Sequence, residues 1–167
     1  PRVRRSRRAL AALELVPFAR AVAARIPALM TAHVVYPALD PRRPATLSPA
    51  ICRDLLRRRL GFRGVLFSDD LEMNAVAARS TPARSAVAAL RAGCDMLLVC
   101  QSLDAARAAM RGVEDAVVAG TLPAADVATA LGRIAALRHR LRPAPRATPL
   151  GWPAHQRLAS RLAAASS

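Results

Sequence analysis

The stretch Gly64-Val65-Leu66-Phe67-Ser68-Asp69-Asp70-Leu71-Glu72-Met73 decides the fold class. Three apolar residues run directly into Ser-Asp-Asp, and a helical pattern follows. A short apolar run bounded by turn signals reads as a strand buried on both faces, the mark of a parallel sheet covered by helices. Carboxylates at the end of such a strand stand where α/β folds place their chemistry, at the carboxyl edge of the sheet. There a carboxylate serves as nucleophile or as acid/base. The competing reading of Asp69 is the cap of the next helix. Asp70 reads as a capping or supporting residue.

Outward from this stretch the same alternation repeats. Residues 28–36 read as a strand followed by a loop, with His33 at the strand end. Residues 95–100 (Asp-Met-Leu-Leu-Val-Cys) read as a third apolar strand. Phe18, Val22 and Ile26 at helical spacing predict a helix over 17–25, with Pro17 in its first turn. Ser48-Pro49 opens another, striped by Ile51, Leu55 and Leu56 and closed by Gly61. Residues 74–78 make a short helical turn. Thr81-Pro82 opens a helix that ends at Gly93. Two more follow over 103–119 and 124–141, the last with Val127, Leu131, Ile134, Leu137 and Leu141 on one face. The loop 37–47 carries Pro37, Pro41 and Pro44, and long connectors of this kind tend to be functional. Residues 143–149 read as a Pro-rich linker, and the Ala/Arg tail beyond Trp152 as a short helix or a disordered end.

The fold class expected is therefore α/β, with about three parallel strands and covering helices. A complete (β/α)8 barrel takes about 250 residues. The 167 residues here fit the C-terminal portion of such a TIM barrel, its last three βα units. The division expected is a partial catalytic barrel over 1–142 and a linker and tail over 143–167.

Composition narrows the function. The chain is 53% hydrophobic but only 3% aromatic, so its core is built from Ala, Leu and Val. The net charge is +15, and all 26 basic residues are Arg. The absence of Lys excludes Schiff-base lysines and the P-loop lysine. Basic charge without base-stacking aromatics does not point to specific nucleic-acid binding. The runs Arg4–Arg8 and Arg57–Arg59 read as solvated helix faces. Cys52, Cys94 and Cys100 show no metal-ligand spacing and read as buried free thiols of a reducing cytoplasm. No run reads as a membrane span or a signal peptide. No metal or organic cofactor is expected.

Several motifs in register resemble family 3 glycoside hydrolases: residues 30–41 (Met-Thr-Ala-His-Val-Val-Tyr-Pro-Ala-Leu-Asp-Pro), Ser48-Pro49, residues 60–73 (Leu-Gly-Phe-Arg-Gly-Val-Leu-Phe-Ser-Asp-Asp-Leu-Glu-Met) and residues 92–100 (Ala-Gly-Cys-Asp-Met-Leu-Leu-Val-Cys). The branch resembled is the bacterial cytoplasmic β-N-acetylhexosaminidase of cell-wall recycling. The resemblance covers about residues 1–142 and implies a TIM barrel. It implies that Asp69 is the nucleophile of a retaining hydrolase, forming a covalent glycosyl-aspartate while a second group protonates the leaving oxygen. The substrate implied is a carbohydrate, terminal β-linked N-acetylglucosamine on muropeptides. The resemblance further implies that the acid/base, a His–Asp pair on a loop, and most sugar contacts lie upstream of the residues matching Pro1.

His33 is then expected to line the pocket or to hold it by hydrogen bonds, and Met73 to wall it or to pack in the core. Asp40 and Arg42 read as solvated loop charges, His139 and His155 as surface residues, and Asp95 as a local cap. A part-barrel has two unpaired edges and an uncovered apolar face, which invite association. The chain alone is expected to be inactive unless complemented. Two alternatives stand beside this. One is a non-catalytic basic half-barrel that binds acidic partners by charge. The other is a β-glucosidase of the same family, against which the Ser-Asp-Asp-Leu-Glu-Met motif weighs.

Overall fold

The apolar run forms the middle strand of a three-stranded parallel sheet. In the computed structural model, which describes residues 1–141 and 153–165, the sheet comprises β1 (Ala28–Met30), β2 (Val65–Asp70) and β3 (Met96–Leu98). Their order is β1-β2-β3. Ala28, Leu29 and Met30 stand opposite Val65, Leu66 and Phe67.

β2 runs two residues beyond the expected end at Ser68, and a bulge explains this. Phe67 pairs with Met96, but Asp70 pairs with Leu98, so β2 carries one extra residue. The extra residue would leave the Leu98 N–H without a ladder partner. The buried Ser68 hydroxyl accepts that N–H at 2.9 Å, and the Leu71 N–H returns to the Leu98 carbonyl at 2.9 Å. A bulge at a sheet rim re-aims the side chains beyond it, and here those are Asp69 and Asp70.

Helices cover one face. Ser6 caps α1 (Arg7–Ala9), which continues as a π-helix over Leu10–Glu14 and then α2 (Val16–Ala23). Of the Arg-rich start only Arg7 and Arg8 are helical, while Arg4 and Arg5 precede the helix and Arg2 bridges Val35; Leu10 is buried. A 3-10 turn over Ala45–Leu47 precedes a second π-helix, Ala50–Arg59. Then come α3 (Asn74–Ala77), α4 (Pro82–Ala92), α5 (Leu103–Val118), α6 (Ala124–Arg140) and α7 (Pro153–Ala165). The tail is therefore helical over Pro153–Ala165, and the linker reading at 143–149 lies outside the described residues. The Thr81 hydroxyl caps α4 by accepting the Arg84 N–H, and Gly93 ends it at φ +115, a left-handed conformation that favours glycine.

The core sits between the helices and the sheet. It contains Cys52, Phe62, Leu66, Leu71, Ala86, Ala89, Ala92, Cys94 and Ala109. Small residues let α4 and α5 approach closely: a Cβ on Gly112 would stand 2.5 Å from the Ala83 Cβ. On α6 it is Ala130 that is buried, while Leu131 on the helix and Leu141 just beyond its end are exposed. On the other face of the sheet the register puts Met30, Phe67 and Met96 in one row. Met30 is 55% exposed and Met96 38%, so this apolar row is open.

At the amino ends of β2 and β3 an ion cluster holds the layers together. Asp95 pairs with Arg57 of the second π-helix and with Arg133 of α6, and it also accepts the Leu66 N–H at 2.8 Å. Its side chain is 1% exposed and that of Arg57 11%. Arg57 further donates to the carbonyls of Phe62, Gly64 and Gly93 and lies over the Phe62 ring. Burial pushes the Arg57 guanidinium below its ordinary range, and Asp95 opposes the shift. Two expectations are corrected here. Asp95 is no local cap but a tie across the fold, and of Arg57–Arg59 only Arg58 and Arg59 are solvated.

Candidate active site at the carboxyl edge of the sheet

The bulge delivers two consecutive carboxylates at the far end of β2, and their surroundings differ. Asp69 is half-buried and follows buried Ser68 within the bulge. Its Oδ1 accepts the Asp70 N–H at 2.9 Å. Among the described residues Asp69 forms no salt bridge.

Asp70 is committed to structure. Its Oδ1 accepts the N–H groups of Glu72 (3.1 Å) and Cys100 (3.3 Å), and its Oδ2 meets Gln101 Nε2 at 3.5 Å. Its carbonyl lies 2.8 Å from His33 Nε2. A carbonyl can only accept, so Nε2 carries the proton. Glu72 adds a second tie, with Oε2 accepting the N–H groups of Gln101 (2.6 Å) and Ser102 (3.2 Å). The loops after β1 and after β3 are thus pinned to the end of β2. Nothing in the sequence reading singled out Glu72, Gln101 or Ser102. The one available signal was the presence of Glu72 inside the Asp-Asp-Leu-Glu motif.

His33 is 3% exposed, and its Nδ1 is buried without a hydrogen-bond partner. Met73 is 44% exposed. Its carbonyl accepts the Val76 and Ala77 N–H groups that start α3, and its side chain is exposed rather than in the core.

Asp40 is a loop organiser rather than a solvated charge. Its Oδ1 accepts the N–H groups of Arg42 (3.0 Å) and Arg43 (3.1 Å), and its Oδ2 takes the Ser48 hydroxyl proton at 2.7 Å. Ser48 Oγ in turn accepts the Ile51 N–H at 3.3 Å. Burial pushes the Asp40 carboxyl up, but the Ser48 hydroxyl, the two backbone donors and the Arg43 charge outweigh it and hold the group below its ordinary value. Arg42 is exposed.

The thiols divide in a way the cysteine count did not predict. Cys52 and Cys94 are buried, and Cys100 is exposed beside the carboxylates. Hydrogen bonding to Cys52 and burial push the Cys94 thiol up, so it stays protonated. Partial desolvation and the charges of Asp70, Glu72 and Asp69 push Cys100 up as well. Among the described residues no group of three His, Cys, Asp or Glu could hold a metal ion, and no helix is long and apolar enough to cross a membrane.

Chemically, this edge presents Asp69, engaged by a single backbone donor, beside Asp70, whose Oδ1 takes two backbone N–H groups and whose Oδ2 meets the Gln101 amide, and Glu72, whose Oε2 takes two more. Comparison with known proteins identifies the family of the chain. Residues 1–137 match the Glycosyl hydrolase family 3 N terminal domain. The chain is 47% identical over 115 residues to a beta-hexosaminidase of Alkalilimnicola ehrlichii, covering 69% of this chain and 33% of that protein. It is 50% identical over 95 residues to a beta-hexosaminidase of Chromobacterium violaceum, covering 57% and 26%. A solved glycoside hydrolase family 3 beta-N-acetylglucosaminidase from Paenibacillus sp. str. FPU-7 superposes with a TM-score of 0.84 at 37% identity, covering 90% of this chain and 30% of that one. The chain spans between a quarter and a third of the length of the curated relatives it matches.

Proposed function

From the premise that this chain belongs to glycosyl hydrolase family 3, we propose that it supplies the nucleophile-bearing part of a retaining β-N-acetylhexosaminidase. In this reading an Asp69 oxygen attacks the anomeric carbon. The new C–O bond forms as the bond to the leaving oxygen breaks, an acid protonates that oxygen, and water then opens the glycosyl-aspartate with net retention. The observation that carries the reading is the contrast at the edge. Asp69 is half-buried, held by one backbone donor and paired with no cation, whereas Asp70 has both oxygens engaged and Glu72 ties down two backbone N–H groups through Oε2. A nucleophilic carboxylate needs a free lone pair and a fixed position, and Asp69 has both.

His33 does not fit the acid. Its Nε2 proton is spent on the Asp70 carbonyl, and its Nδ1 is buried. We assign it instead to holding the β1 loop against β2, with Met73 on the rim of the substrate site. The substrate proposed is terminal β-linked N-acetylglucosamine on peptidoglycan fragments, handled in the cytoplasm without metal or organic cofactor, by a catalytic part spanning 1–142 and followed by a linker and tail. The open row Met30–Phe67–Met96 supports a further element: turnover requires additional polypeptide over this face.

Mass spectrometry after incubation with a fluorinated, activated N-acetylglucosaminide tests the reading. The expected result is one covalent glycosyl adduct on Asp69. It forms either on this chain or on a chimera in which these residues replace the matching third of the Alkalilimnicola relative. Absence of an adduct from both, or an adduct elsewhere, overturns the assignment.

A further inference from the structure

Two thiols that the proposed chemistry does not use meet in the core, and what they carry is independent of Asp69. Cys52 stands in the first turn of the second π-helix, and Cys94 lies between α4 and β3. Both are buried, at 0% and 2% exposure. Both turn to one short segment, the 3-10 turn Ala45–Leu47. The Cys52 thiol donates to the Ala45 carbonyl at 3.1 Å and the Cys94 thiol to the Thr46 carbonyl at 3.7 Å. The two sulfurs also stand within hydrogen-bonding reach of each other, and the Thr31 hydroxyl, just past β1, contacts Cys94. Thr31 in turn donates to Thr46 Oγ1 at 2.9 Å.

A single buried cysteine behaves as a small hydrophobe. Two in contact can be joined, provided the backbone comes close enough. A Cβ on Gly93, the residue before Cys94, would stand 3.5 Å from the Cys52 Cβ, and bridged cysteines hold their Cβ atoms about 3.5–4.5 Å apart. Closure has a consequence for the turn. A disulfide has no S–H, so the Ala45 carbonyl keeps the Ser48 N–H but loses its thiol, and the Thr46 carbonyl loses its thiol too. A buried acceptor deprived of its donor destabilises the segment that carries it. The same turn holds the loop after β1, through the Ala45 N–H on the Val34 carbonyl at 2.9 Å.

We infer that Cys52 and Cys94 form a peroxide-sensitive dithiol whose closure to a disulfide loosens the turn Ala45–Leu47 and the loop it holds. The thiols are sealed, so the oxidant, hydrogen peroxide, meets them on local opening. The attacking group is a thiolate, and burial beside Cys52 keeps Cys94 protonated, so Cys52 attacks first. Its sulfur gives up the thiol proton and bonds to a peroxide oxygen. The O–O bond breaks, and the departing hydroxide takes that proton and leaves as water. Cys52 is then a sulfenic acid. The Cys94 sulfur attacks it, the S–O bond breaks as the S–S bond forms, and the hydroxyl leaves with the Cys94 proton as a second water. The sulfurs together lose two electrons, and the peroxide gains them.

The test is oxidation of the folded full chain carrying Cys100→Ala, which removes the exposed thiol. Hydrogen peroxide is raised until Met110, 63% exposed, begins to take up oxygen. The sample is then quenched with catalase, denatured, alkylated with N-ethylmaleimide and read by peptide mass. The expected product is a monomer in which the Cys52 and Cys94 peptides are joined, lighter by two hydrogens than the separate pair and free of maleimide. Dithiothreitol should restore both maleimide sites. In ¹⁵N spectra the differences between the two forms should centre on Thr31 and residues 45–48 and vanish on reduction. Cys94→Ala should stop the reaction at a sulfenic acid on Cys52, captured by dimedone. If that variant does not fold, the joined peptides of the parent still decide the matter. Thiols that both remain open to maleimide at that dose, a sulfonic acid at either position, or disulfides between two chains overturn the inference. So does a Cys52–Cys94 bridge that leaves the amides of 45–48 where they were.

Discussion

The two ends of the sheet use the same kind of side chain in opposite ways. At the amino edge Asp95 is buried and neutralised twice, by Arg57 and Arg133, and its Oδ2 also accepts the Leu66 N–H. At the carboxyl edge Asp69, Asp70 and Glu72 stand within four residues of one another and meet no cation among the described residues. They are held by backbone N–H groups instead. A carboxylate answered by arginines in a dry site holds layers together. One answered by amides keeps its charge usable. In (β/α)8 folds the amino face serves stability and the carboxyl face chemistry, and this chain draws that line within β2 itself. The comparison predicts that substitutions at the two edges separate stability from function.

The largest effect on stability belongs to Asp95→Ala. It leaves Arg57 largely buried without its partner, and breaking a buried pair costs about 3–5 kcal/mol. Urea unfolding should show a loss of that order, comparable with a large part of a small domain's total. Asp95→Ala behaving like a surface substitution would erase the proposed division between the edges.

Next comes Ser68→Ala, between the two edges. The Leu98 N–H loses its acceptor inside the sheet, which costs about 1–3 kcal/mol. Amide exchange at Leu98 should accelerate more than at Met96. If it does not, the bulge is held by something other than the Ser68 hydroxyl.

These two positions also mark where sequence reasoning succeeds and where it stops. Three apolar strands alternating with helices were legible because each strand is a local run, and the Ser-Asp-Asp position was legible because it ends one. The role of Ser68 was not, because its partner Leu98 lies 30 residues on and nothing local encodes a bulge. Asp95 read as a local cap because its partners stand 38 residues away on either side, in Arg57 and Arg133. Arg57, Arg58 and Arg59 are chemically identical, and only the helix geometry decides which of them enters the core. His33 pairs with a backbone carbonyl, a contact no residue pattern announces. The family motifs located the edge. Tertiary contacts alone distinguish the carboxylate left free from those already committed.

A smaller effect, dependent on pH, belongs to Asp40. Its carboxyl lies below the ordinary value in the folded chain, so the folded state binds fewer protons there than the unfolded one. The contribution is present above about pH 4 and is lost as pH falls through the folded value. Asp40→Asn removes this titration. The advantage of the parent in melting temperature should be steady at neutral pH and shrink as pH drops from about 5 to about 3. A gap that widens on acidification contradicts the assignment of Asp40 as a loop organiser.

The smallest effect on stability is expected at Asp69, and it sharpens the comparison most. Asp69→Asn keeps an oxygen to accept the Asp70 N–H and breaks no ion pair. Its unfolding free energy should stay within about 0.5 kcal/mol of the parent, as for a surface substitution. The same change removes the charge and lone pair that attack the anomeric carbon, so the glycosyl adduct should vanish. Stability and trapping must therefore be read on the same sample. An Asp69→Asn protein that unfolds easily would make Asp69 a second Asp95, a structural acid misread as a nucleophile. One that is as stable as the parent and still labels would place the chemistry on another residue. Full stability with no adduct is the outcome that a free carboxylate on a rigid strand end requires, because the groups that fix it in place are the backbone of β2 and the loops tied down by Asp70 and Glu72, not Asp69 itself.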